Sequence, residues 1–140
     1  MSQITFYFNP ANREHALCVI AGKALARRLQ VVVATGSPAA SEALDRLLWE
    51  VPTTGFLPHC AADAAIAAET PILVDHRCEL LPVRDVLINW TDNLPPGFER
   101  FGRVIEIVDA DNATSARARV GAYKAAGHTV DYIDLTKPDV

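Results

Sequence analysis

Glycine is scarce in this chain where a nucleotide-binding protein would need it. Only 7 of the 140 residues are glycine. None stands in the first candidate β-α turn, Asn9-Pro10-Ala11-Asn12, where a phosphate would have to approach the backbone. The second turn, Thr35-Gly36-Ser37-Pro38, has one glycine but no Gly-Lys-Ser/Thr ending, and Pro38 removes an N–H that could hold phosphate. Dinucleotide and P-loop fingerprints are therefore both missing. Cysteine is sparse as well: Cys18, Cys60 and Cys78 make an odd number without framework spacing, and they read as reduced thiols. Positive charge is in deficit, 13 Lys plus Arg against 17 Asp plus Glu, which excludes a broadly basic surface and makes any anion site local. Residues 1–10 carry no Lys or Arg, and no apolar run approaches the roughly 20 residues that span a bilayer. These features set the expectation of a cytosolic protein without a signal peptide or membrane helix.

What is present is apolar enough to fold. Half the residues are hydrophobic and 21% are charged, and 140 residues suit one domain over residues 1–140. Ile4 to Phe8 reads as a strand closed by Asn9-Pro10, and Arg13 to Leu29 carries apolar residues at helical spacing. The continuous run Val31 to Ala34 predicts a strand buried on both faces, as in a parallel sheet. Ser37-Pro38 opens a second helix that ends near Trp49, the stretch from Glu50 to Pro58 reads as a loop, and Ala61 to Ala68 as a short helix. Ile72 to Val74, Val86 to Ile88 and Arg103 to Val108 predict strands, Asn112 to Ala126 a helix stopped by Gly127, and Val130 to Leu135 a last strand. The alternation gives an α/β class: a Rossmann-like three-layer sandwich with a mostly parallel sheet flanked by helices and no nucleotide-binding fingerprint.

Several residues could carry chemistry. His59-Cys60 and His76-x-Cys78 hold zinc-ligand types without zinc-ligand spacing, and the pair His15 and Cys18 shows no orienting third group, so neither a metal nor a catalytic thiol is expected. Trp49 and Phe56 frame a Pro-rich loop, where large aromatics are either core plugs or anchors for a partner. On the last helix, at 100° per residue, Arg117, Val120, Gly121 and Lys124 share one face while Ala116 and Tyr123 look the other way. Two cations flanking a small apolar floor can clamp a carboxylate while receiving an apolar side chain. The same pattern also suits a solvated face whose Lys124 complements the helix dipole.

Ile4-Thr5-Phe6-Tyr7 at the start, then Leu47-Leu48-Trp49, Pro52, Phe56-Leu57-Pro58-His59 and Arg117-x-Arg119-x-x-x-Tyr123-Lys124-x-x-Gly127, with the order of elements, resemble the chi subunit family of bacterial DNA polymerase III holoenzyme. The resemblance implies a non-catalytic accessory protein with a Rossmann-like fold and no cofactor. It implies a pairing with the psi subunit of the clamp-loader assembly, and binding of the acidic C-terminal tail of single-stranded DNA-binding protein, which ends in Ile-Pro-Phe. A repair helicase is a further candidate partner, and contact with nucleic acid is indirect. On this reading the tail carboxylate meets Arg117, its phenyl ring enters a pocket near Val108 and Val120, and its aspartates face Arg119 and Lys124. Trp49 and Phe56 match the family's positions for protein partners such as psi. Where better-known members place an aromatic and a basic residue, this chain has Val120 and Gly121, so the pocket is expected to be less basic and differently shaped. The alternative is a small nucleotide-dependent enzyme, which would show a polar pocket at the carboxyl ends of the strands.

Overall fold

A computed structural model of the chain describes residues 2–50 and 57–136. Among these described residues seven strands form one sheet: β1 (Gln3–Phe8), β2 (Val31–Thr35), β3 (His59–Cys60), β4 (Ile72–Asp75), β5 (Val86–Trp90), β6 (Arg103–Val108) and β7 (Thr129–Asp134). Their order is β3-β4-β2-β5-β6-β1-β7, and every pairing is parallel. Of the described residues, three α-helices cover it: α1 (Arg13–Ala26), α2 (Pro38–Glu50) and α3 (Ala113–Ala125). The predicted α/β sandwich is the observed architecture. None of the described helices is long and apolar enough to cross a membrane.

The two faces of the sheet bury different partners. Val31, Val33, Ile72, Val74, Ile88, Ile105 and Ile107 pack under α1 and α2, against Leu17, Ile20, Leu44 and Leu48. Ile4, Phe6, Val32, Leu87 and Val104 face α3 and the 3-10 turn Phe98–Arg100, meeting Ala116, Tyr123, Phe98 and Phe101. A strand alternates its side chains between faces, so a continuous apolar run such as Val31 to Ala34 serves both layers.

Three local expectations change. The run Ala61 to Ala68 is not an α-helix: it forms turns and one 3-10 turn at Ala67–Glu69. None of its alanines is buried, Ala61, Ala65 and Ala68 being exposed and the other three half-buried, and so short a helix with no face to bury lacks the packing that offsets nucleation. Just beyond the predicted loop, His59 and Cys60 pair as a short strand with Ile72 and Leu73. Helix α1 stops at Ala26 rather than Leu29. Arg28 takes a left-handed φ of 60°, while Arg28 N–H donates to the Leu25 carbonyl and Leu29 N–H to the Ala24 carbonyl.

Candidate functional site

Helix α3 is set by a tight connection from β6. Asn112 donates from Nδ2 to the Ile107 carbonyl (3.0 Å) and accepts at Oδ1 from the Asp109 N–H (2.8 Å). Asp109 Oδ1 in turn accepts from the N–H groups of Asp111 and Asn112. The far end closes on Gly127, whose φ of 91° and N–H bond to Lys124 complete the stop read from sequence.

The two sides of α3 do different work. Arg117, Gly121 and Lys124 are exposed and Val120 is half-buried, the stripe anticipated from helical spacing. Val120 and Val108, the last residue of β6, both pack against the core on this side of the sheet. Lys124 Nζ stands 5.8 Å from the ring centroid of Tyr132 on β7.

Arg119 departs from its expected place. It is 3% exposed and turned inward, so it does not stand in solvent beside Lys124 to meet a peptide's aspartates. Its Nε donates to both oxygens of Glu106 at 3.1 Å, and Nη2 lies 3.0 Å from Oε1. Tyr123 Oη (2.7 Å) and Asn89 Nδ2 (2.8 Å) also donate to Glu106 Oε2. Burial first, then the Glu106 carboxylate, keep the Tyr123 hydroxyl protonated well above its usual range. The wheel already pointed inward: Arg119 and Tyr123, four residues apart, lie about 40° from each other on a helix. Glu106 and Asn89, which the sequence reading passed over, had a signal too. Strand alternation puts Glu106 with Val104 and Asn89 with Leu87 on the core side, where a polar group needs partners.

A second feature lies on α2. Trp49 is 54% exposed, with its ring centroid 4.5 Å from that of His59. The buried His59 ring is wedged between backbone oxygens, Nδ1 2.7 Å from Leu57 O and Nε2 2.9 Å from Asp45 O. A groove of about 470 Å³ opens beside it, lined by Ser41, Glu42, Arg46 and Trp49 among others. Phe56 lies outside the described residues. His76 and Cys78 sit near a separate cluster at the end of β4, where Asp75 accepts from Arg77 and the Ala62 N–H. Among the described residues no three His, Cys, Asp or Glu side chains converge as metal ligands.

A family model described as "DNA polymerase III chi subunit, HolC" matches residues 1–131. The chain belongs to the DNA polymerase III chi subunit family. Among its relatives is the DNA polymerase III subunit chi of Pseudomonas aeruginosa, 30% identical over 134 residues that cover 91% of this chain and 93% of the relative. The DNA polymerase III subunit chi of Haemophilus influenzae is 28% identical over 107 residues, 76% of this chain and 74% of the relative. Membership of the chi family makes this a replication protein, an accessory subunit of the polymerase complex rather than a catalyst. The alternative of a nucleotide-dependent enzyme is set aside on that ground. Within the chi-like pattern Arg-x-Arg, the structure separates the two arginines: Arg117 faces solvent and Arg119 the core.

Proposed function

We propose that this chi-family chain binds the acidic C-terminal tail of single-stranded DNA-binding protein on α3, and joins that protein to the psi subunit through Trp49 and Phe56. The observation that carries the reading is the exposed stripe on α3: Arg117 and Lys124 flank Val120 and Gly121, and Val120 packs against the same buried cluster as Val108. A guanidinium suits a terminal carboxylate because it can donate two parallel hydrogen bonds, and the apolar floor receives the last side chain. Lys124 attracts the aspartates upstream through screened charge. Arg119, assigned to the core, is left out of the contact set.

Trp49 supports the second half. An exposed indole on a buried histidine, beside a groove, is the kind of aromatic anchor that partners bury. Titrating the purified protein into a fluorescent acidic peptide ending in Ile-Pro-Phe tests the tail reading. Saturable binding that weakens with salt is expected, and no binding at low salt would overturn it.

A further inference from the structure

Beside the α3 stripe the sheet ends in a large exposed ring that the reading above does not use. Tyr132 lies on β7, the outermost strand, and is 52% exposed. Its register partner is Phe6, whose side chain faces α3, so Tyr132 stands on the α3 side of the sheet. Its ring centroid is 6.3 Å from that of Phe6, which backs it, while Lys124 Nζ stands 5.8 Å away. An aromatic held by packing on one side and bordered by an ammonium on another is a fixed, amphipathic wall. The neighbouring Asp131 alternates to the opposite face and accepts from Gln3 Nε2, so its charge does not line this wall.

We infer that Tyr132 is a specificity-determining residue of the α3 site, one that reads the apolar residue two places before the terminal carboxylate of a bound acidic peptide. The inference rests on the tail reading. Arg117 and Lys124 are seven residues apart, about 10 Å along the helix axis at 1.5 Å per residue. An extended peptide covers about 3.3 Å per residue, so three residues span that distance. With its carboxylate on Arg117 and its aspartates toward Lys124, the peptide lays its third-last side chain, isoleucine in the proposed tail, against the Tyr132 ring. A flat ring receives a branched aliphatic chain or the adjoining proline by packing, without a hydrogen bond, and Tyr132→Phe should serve as well.

The test is a double-mutant cycle by fluorescence anisotropy, using the tail peptide and the same peptide with alanine at the third-last position. Tyr132→Ala should weaken the parent peptide about tenfold, Tyr132→Phe less than about twofold, and Tyr132→Ala should change the alanine peptide by less than about twofold. Melting temperatures confirm that each variant folds, as half-exposed positions generally permit. Unchanged affinity in Tyr132→Ala alongside a large loss in Arg117→Ala would overturn this assignment and leave the tail reading standing. Equal weakening of both peptides would also overturn it. Failure of the unaltered protein to bind either peptide would overturn the tail reading itself, and this inference with it.

Discussion

Single side chains of this protein fall into clear roles. Arg28 shows how a backbone conformation can be hidden by residue type. It occupies the left-handed position after α1 that Gly127 fills after α3, and both ends make the same pair of hydrogen bonds back into the helix. A non-glycine residue there carries strain of about 1 kcal/mol. Arg28→Gly should raise the unfolding free energy measured by urea titration by about that much, and a destabilised variant would contradict the assignment. Trp49 is the opposite case, a large side chain that the fold hardly needs. Trp49→Ala should shift stability by less than about 1 kcal/mol in denaturation, and the proposed pairing with psi predicts that it weakens that binding by about 2 kcal/mol or more in calorimetry.

Among the elements, α3 depends most on a polar contact. Its inner side is fixed to β6 and β5 by the Glu106 carboxylate, which collects Arg119, Tyr123 and Asn89. Removing one partner from a buried ion pair leaves the other unpaired, which costs about 3–5 kcal/mol. Glu106→Ala should therefore be severely destabilised in urea titrations. The pair Glu106→Met with Arg119→Met should regain part of the loss, because neither charge is then buried alone, while the Tyr123 hydroxyl still lacks its acceptor. If the double variant were as unstable as the single one, the network would not be what holds α3. The stripe on this helix was legible because 3.6-residue spacing places Arg117, Val120, Gly121 and Lys124 together. Arg119 was misplaced because the resemblance grouped it with Arg117, although its angular position lies with Tyr123. The end of α3 was legible through Gly127, whereas the end of α1 lacked a glycine. The alanines of 61–68 suggested helix by propensity alone, and propensity yields where no face is buried.

For the molecule as a whole, the parallel sheet sets the layers, and continuous apolar runs made that sheet readable in advance. The two-residue β3 was not readable, since it is too short for any period and is defined only by its pairing with β4. The carboxyl end of β4 also ties acid stability to the fold. Burial pushes the Asp75 carboxyl up, but the side-chain and backbone bonds from Arg77 and the Ala62 N–H outweigh it and leave its pKa at about 2, against 3.8 for a free aspartate. A depressed carboxylate pKa contributes stability that is present above pH 3.8 and is lost as pH falls toward 2. The contribution is about 2 kcal/mol. Asp75→Asn should lower stability at pH 7 and reduce the loss on acidification between those limits. A variant with the same acid profile as the parent would place the acid sensitivity elsewhere.

The central claim is that Arg117 holds a terminal carboxylate, and amidating the C-terminus of the acidic peptide isolates that contact. By calorimetry, Arg117→Ala and amidation should each cost about 2–5 kcal/mol, because either one leaves a charged group under-paired. Together they should cost little more than either alone, as partners in one contact do. Lys124→Ala should cost less, and salt should erase most of its effect. If amidation weakens binding equally in the parent and in Arg117→Ala, the carboxylate is held elsewhere and the account is wrong.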